Sequence, residues 1–374
     1  MTQLYTYSIG ELCKLEKGNS PTMKTPAGDY PLVVTAEFRR TADAYQFDTE
    51  AVCVPLVSST GHGNAALHRV HYESGKFALA NILVALIPKD TSLCNAKYLY
   101  FLLQAQKDYL LVPLMQGTAN VSLKVQDIAG VKLSLPPIDE QRRIVTKIES
   151  LAAKIDEIRQ LRRAIHTDAQ AVLLSAFQQV IEGAEYRPMC QVAPIVRRNV
   201  EIEVDGEYPE LGVRSFGKGV FHKPTLTGID LPDWQKFYRI HEGDLIFNLR
   251  KAWEGSIGVA AVGDHNRVGS HNSYITCVPK EGVATSEFLS FYFLSPKGLA
   301  QVQEGTRGSA DRNRVISIGR LNQFNVPIPD YNVQLWFNRL QARVADIAQS
   351  QADNQTELDA LLPATLDRAF KGEL

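Results

Sequence analysis

Cysteine is sparse in this chain of 374 residues, and Cys13, Cys53, Cys94, Cys190 and Cys277 form no CxxC pair. That scatter argues against a structural zinc site and against a disulfide framework, so a reducing cytoplasm is the expected compartment. Long apolar runs are missing as well. The longest, FALANILVALI from Phe77 to Ile87, is too short to cross a bilayer. The opening MTQLYTYSIG has neither the basic start nor the apolar stretch of a secretory leader. Nor is there an excess of charge: the formal net charge is −1, which neither points to nucleic acid nor excludes it, because a neutral protein can carry local basic faces.

Chemistry-bearing motifs are equally thin. GVRSFGKG at Gly212 has the spacing of a phosphate-binding loop, yet Gly219 stands where a magnesium-holding Ser or Thr is needed. GHGNAA at Gly61 imitates a dinucleotide fingerprint without a surrounding βαβ unit. His62, His68 and His71 fit no common zinc spacing and read as surface or turn histidines. No NPPY- or DPPY-like methyltransferase loop occurs, and Glu304 and Asp311 lie in a basic loop without the lysine of a nuclease site. A binding role is expected, with no metal and no catalytic residues on this chain.

What is present is a duplication. LSLPPIDEQRRIVTKIESLAAKIDEI, Leu133 to Ile158, returns as FNVPIPDYNVQLWFNRLQARVADI, Phe324 to Ile347. IPKDTSLCNAKYLYFLLQ, Ile87 to Gln104, returns as VPKEGVATSEFLSFYFLS, Val278 to Ser295. The period is far longer than the roughly 20–50 residues of a solenoid repeat, so a whole domain with a trailing helix has been copied. The expected division is a domain over 1–135, a helix over 136–183, a second domain over 184–328 and a final helix over 329–374.

In the first helix Ile144, Ile148, Leu151, Ile155, Ile158, Ile165 and Val172 fall on the alternating steps of a coiled-coil seam, with Arg162 as the break. Pro136-Pro137 supplies its start and Gly183 its stop. At about 1.5 Å per residue it is a rod on the order of 60 Å long. The final helix offers Trp336, Leu340, Val344, Ile347, Leu358, Leu361, Leu362, Leu366 and Ala369, with Gln351 and Asn354 interrupting the stripe near its middle and a kink or break expected at Pro363. Two such stripes are best buried against each other, antiparallel, between the domains. The domains themselves read as mixed α/β. Strands are expected near Tyr30–Val34, Ala51–Val57, Asn81–Ile87, Gly243–Phe247, Ser256–Val262 and Ser273–Val278, with buried helices at Tyr98–Gln106 and Phe288–Leu294.

Two loops hold corresponding places, Gln116–Lys124 and Glu304–Arg314. Their Thr118, Asn120, Lys124, Arg307, Ser309, Arg312 and Arg314 have the chemistry of phosphate and base-edge contacts, although a plain surface loop has the same composition. Arg39 and Arg40, Arg214 and Lys218, and Arg250 and Lys251 mix charge with aromatics on further loops. Arg142, Arg143, Arg159 and Arg163 lie off the helix seam and offer a partner surface, solvated charge being their simplest reading.

LPPIDEQRRIVTKIESL after the first half, with IPDYNVQ and LLPATLDRAFKGEL at the end, resembles the specificity subunits of type I restriction-modification systems. The second copy departs at Tyr331, Asn332 and Val333, where an acidic pair is expected before Gln334. The resemblance implies an α+β fold of two duplicated target recognition domains, separated by two long antiparallel coiled-coil helices in pseudo-twofold symmetry. Each domain would read one half of a split double-stranded DNA site. The helices would set the gap and hold two methyltransferase subunits, which carry S-adenosylmethionine, while restriction subunits carry ATP and magnesium. A stand-alone DNA-binding regulator, the recognition part of a fused methyltransferase-nuclease, and a hydrolase built on His62 to His71 are the competing readings.

Overall fold

An antiparallel strand pair opens each copy: Tyr5–Ser8 with Lys132–Leu135, and Glu185–Pro188 with Asn325–Ile328. The computed structural model describes residues 4–60, 63–118, 120–231, 234–306 and 314–371. They form two compact units, 1–162 with 352–374, and 163–351. In each, the opening strand runs straight into a one-turn helix, Ile9–Leu12 or Met189–Val192.

A four-stranded sheet follows with the same order in both copies. In the first unit it is Cys13–Lys17, Leu83–Pro88, Ala51–Pro55 and His71–Glu73. In the second it is Ile195–Val196, Tyr274–Cys277, Leu245–Asn248 and Ile257–Val259. A further sheet repeats a rarer pattern. Tyr30–Val33 runs parallel to Lys76–Leu79 and antiparallel to Arg40–Ala42, as Glu207–Val213 runs parallel to Val268–Ser270 and antiparallel to Val220–Thr227. The strands expected from sequence are all present, each within a few residues of its expected ends.

Alternation explains why the inner strands are apolar throughout. Val52, Val54, Val84 and Leu86 enter one core with Leu99 and Leu103 of the Ala96–Leu110 helix, while Ala51, Cys53, Leu83 and Ala85 enter a second with Leu32 and Phe77. Successive side chains of a strand point to opposite faces, and here both faces are covered. The run from Phe77 to Ile87 is thus two strands, Lys76–Leu79 and Leu83–Pro88. Among the described residues no helix is long and apolar enough to cross a membrane.

The central helix spans Ile138–Ile181, and Gly183 follows it at φ 72°, a backbone conformation glycine adopts without strain. In the first unit it is antiparallel to the Gln355–Phe370 helix: Arg162 reaches Gln355, Arg159 reaches Asp359, and Ile144 and Ile148 share a core with Leu366 and Ala369. In the second unit Phe177 packs on Phe337 of the Tyr331–Asp353 helix, ring centroids 5.4 Å apart. Part of the expected seam is not buried. Ile158, Ile165 and Val172 are exposed, whereas Ile144, Ile148 and Ile155 are covered.

The break expected at Pro363 is not there. The helix runs through Pro363, and the interruption falls at Asn354. Leu358 and Leu366 are buried on either side of the proline and hold that segment helical. Between Ile347 and Leu358 no described side chain is a buried apolar residue, so the polar stretch around Asn354 yields first.

One residue fastens each helix start to its domain. Gln141 is fully buried, donates to the carbonyls of Leu93 and Pro136 (both 2.9 Å), and accepts from the Asn95 amide at 2.9 Å. Gln334 repeats this with Val283, Pro329 (both 2.9 Å) and Thr285 (3.2 Å). Asn95 and Thr285 in turn cap the Ala96–Leu110 and Ser286–Leu294 helices. Gln141→Leu strands these backbone groups, and the expected loss is about 1–3 kcal/mol in urea unfolding. Gln141→Glu should cost more at neutral pH, since a carboxylate faces two carbonyl oxygens. Equal midpoints for the two variants would contradict this account.

Candidate nucleic-acid interface

In the second unit, three segments that sequence reading treated separately come together. The Glu207–Val213 and Val220–Thr227 strands form a hairpin whose tip, Arg214 to Gly219, carries Phe216, Gly217 and Gly219 at φ 63°, 66° and 71°. So GVRSFGKG is a hairpin end and not a strand-to-helix phosphate loop. The tip is docked. Phe216 N–H donates to the Glu254 carbonyl (2.8 Å), Gly217 N–H to the Gly255 carbonyl (2.9 Å), and the Ser215 hydroxyl to the Glu254 carboxylate (2.8 Å).

The turn that receives it holds Trp253, whose indole N–H donates to the Arg250 carbonyl (3.1 Å) and whose own carbonyl accepts from Gln303 (3.2 Å). The Arg314 guanidinium stacks over the Trp253 ring at 4.9 Å. Arg214 lies over Phe221 at 4.9 Å. Arg214, Lys218, Arg250 and Lys251 are all exposed, the last 3.9 Å from Glu254 in a rim pair worth little. Arg307, Ser309 and Arg312 lie outside the described residues. Further along the hairpin, Lys223 is committed to Glu210 (2.9 Å) and His222 to Asp264 (2.8 Å), so those side chains are structural.

The first unit presents a second kind of loop, with hydroxyl and amide groups and one cation beside them. Gln116 and Ser122 exchange both backbone hydrogen bonds (2.8 and 2.9 Å), closing the loop that exposes Thr118 and Asn120; Lys124 is exposed just beyond it. The turn at Gly63 comes so close that a Cβ there would lie 2.7 Å from the Thr118 carbonyl oxygen. The strut under the loop is conserved between the copies: Leu123 N–H donates to the Leu56 carbonyl (2.8 Å) as Ile316 N–H does to Leu249 (2.9 Å).

Arg39 points inward. Its Nε lies 2.6 Å from Glu73, one Nη 3.2 Å from His71 Nδ1 and the other 3.4 Å from the Tyr72 carbonyl. Arg40 donates to the Thr22 carbonyl and lies 3.4 Å from the Met23 sulfur. The reading of the histidines as surface or turn residues fails for His71, which is a buried strand residue; His62 lies outside the described residues. Burial, with Arg39 and Arg69 close by, pushes the His71 imidazole from 6.5 down to about 4. Among the described residues no group of three or more His, Cys, Asp or Glu could hold a metal.

The helix arginines are engaged at the surface. Arg142 is 3.6 Å from Asp139, Arg143 forks onto Glu140 (2.5 and 2.7 Å), and Arg159 bridges Asp156 (3.3 Å) and Asp359 (2.7 Å). Arg163 is exposed, and its carbonyl accepts from Thr167 at 3.1 Å. What sequence reading missed is the docked tip and the side chain at its apex, Phe216. The Gly217–Gly219 pair signalled a tight end, but nothing local named the turn it docks on.

Residues 3–167 match the family described as Type I restriction modification DNA specificity domain. The specificity subunit of the type I restriction enzyme EcoDI from Escherichia coli is 26% identical over 176 residues, 46% of this chain and 37% of that protein. The chain thus spans well under two thirds of that curated relative. In fold the likeness extends over 99% of the chain. The HsdS subunit from Thermoanaerobacter tengcongensis superposes with a TM-score of 0.59 at 18% identity, covering 99% of this chain and 97% of that one. A chain from a structure concerned with complex assembly and conformational transition of the type I R-M system gives 0.61 at 19% identity, covering 99% and 98%. By sequence over its first domain and by fold throughout, the chain resembles type I specificity subunits.

The committed arginine and the exposed cations separate experimentally. Arg39→Ala should lower the melting temperature, whereas Lys218→Ala and Arg250→Ala should leave it nearly unchanged. The His71 shift has a pH signature. The unfolded imidazole binds protons that the folded one refuses, so this contribution to stability is complete above about pH 6.5 and is lost as pH falls towards 4. The urea midpoint should therefore drop between pH 7 and pH 5, and His71→Gln should shrink that drop.

Proposed function

We propose that this chain, folded as type I specificity subunits are, is the DNA-recognition subunit of a type I restriction-modification complex. Each domain reads one half of a two-part site on double-stranded DNA, and the long helices set the gap and hold two methyltransferase subunits. S-adenosylmethionine belongs to those partners, and ATP and magnesium to restriction subunits. This chain contributes specificity and no catalytic group, and it acts in the cytoplasm.

The observation that carries this reading is one frame with two different tips. The strand order, the glutamine clamp and the loop struts recur in both units. The side chains beside them do not: Val57 and Ser58 follow Leu56 in the first unit, where Arg250 and Lys251 follow Leu249 in the second. A repeated scaffold with unlike contact residues suits an asymmetric pair of half-sites, with base edges read by side chains and the backbone held by cations. The partner surface is supported by apolar side chains that the helices leave uncovered: Ile158 and Leu161 in the first unit, Ile165, Val172 and Leu174 in the second.

Coexpression with a type I methyltransferase subunit from the same genome tests the proposal. Mass photometry should give one copy of this chain with two methyltransferases, and methylation mapping should give adenines in one two-part sequence. Exchange of residues 184–328 for those of a relative should alter only one half of that sequence. Methylation by this chain alone, or full sequence-specific activity from a one-to-one complex, would overturn it.

A further inference from the structure

We propose that Phe216, and Phe38 at the equivalent place in the first domain, are wedges that enter the base stack of bound duplex DNA. The inference rests on the DNA-recognition reading above and names side chains which that reading does not. The two residues sit in the same connection of the repeated sheet. Val34 to Arg39 joins Tyr30–Val33 to Arg40–Ala42, and Arg214 to Gly219 joins Glu207–Val213 to Val220–Thr227. Each connection carries one phenylalanine, Phe38 with 67% and Phe216 with 75% of its surface open to water.

A large apolar side chain held in water forfeits the stabilisation of burial, and in both copies the chain beside it is fastened, by backbone bonds at Phe216 and by neighbouring side chains at Phe38. Phe216 is anchored by the amide bonds of residues 216 and 217 to Glu254 and Gly255. Phe38 is flanked by Glu37, paired with Arg69 at 3.0 Å, and by Arg39, locked onto Glu73 and His71. Phe216 also sits at φ 63°, and among the described residues only Asn266 shares positive φ without being glycine. Strain of this kind persists where the surroundings enforce it and is concentrated at working sites.

The neighbours select the occupant. Arg214, Lys218, Arg250 and Lys251 surround the Phe216 tip with exposed positive charge. An apolar groove on a protein would leave those cations without partners. Duplex DNA supplies phosphates for the cations and a base step whose faces accept the ring, as in proteins that insert apolar side chains and partly unstack the helix. Arg39, on this account, is a positioning residue for Phe38 and makes no phosphate contact of its own.

The test uses the complex with its methyltransferase on a closed-circular plasmid carrying the mapped site. Topoisomerase relaxation of the bound plasmid reads unwinding as a shift in linking number. With the plasmid site saturated, Phe38→Ala/Phe216→Ala should lose at least half of that shift. Phe216→Trp, which keeps a flat ring, should restore the Phe216 share. Phe216→Gly relieves the left-handed backbone, so it should melt no lower than the wild type and still lose unwinding, which separates the wedge from a folding role. Retained binding with an unchanged linking number would overturn the wedge and leave the recognition reading intact. Loss of methyltransferase assembly with DNA binding and unwinding unaltered would also overturn it, assigning the rings to a protein contact. If the wild-type complex yields no mapped site, the recognition reading itself falls, and the wedge with it.

Discussion

A single buried amide, used twice, ties each sheet domain to its long helix. Gln141 and Gln334 satisfy carbonyls on two different segments and a backbone amide that belongs to the neighbouring helix cap. Only a primary amide offers two donors and an acceptor in so small a space. Each half of this geometry depends on the other. The clamp orients the helix axis relative to the Ala96–Leu110 or Ser286–Leu294 helix, and that helix packs on the sheet whose loops form the candidate interface. A tilt introduced at the glutamine is therefore passed to the contact surface through packed, close-fitting elements.

Much of this was legible because its signals are local. The proline before each rod, the glutamine after it and the period of Ile144, Ile148 and Ile155 lie within a few turns of one another, and the duplication repeats them. The buried helices after Asn95 and Thr285 were legible for the same reason. The failures share a cause too. His71 and Arg39 are distant in sequence and take their roles only from each other and from Glu73. Pro363 is tolerated because burial at Leu358 and Leu366 outweighs its local cost, a balance no window of sequence displays. The gathering of Arg214, Arg250 and Arg314 required three separated segments to meet around Trp253 and Glu254.

The two copies also show where a duplicated frame is free to change. The struts at Leu56–Leu123 and Leu249–Ile316 fix the base of each loop through backbone atoms alone. Side chains above them can vary without disturbing the core. Beside them one copy carries Val57 and Ser58 and the other Arg250 and Lys251, while the sheet order beneath is unchanged.

The first core is closed by the far end of the chain. Leu366 and Ala369 belong to the same cluster as Ile144, Leu99 and Val84, and Phe370 meets Tyr98 edge-on at 5.5 Å. Among the described residues, the second core draws on those between Leu173 and Leu340. During synthesis the ribosome delivers the first domain's sheet early and its last wall only after the second domain's core residues. The later domain, made of one contiguous stretch, can be complete before the earlier one is. Order of translation and order of completion are thus inverted, and a nascent chain carries an open apolar flank on its first domain until residues 355–370 emerge.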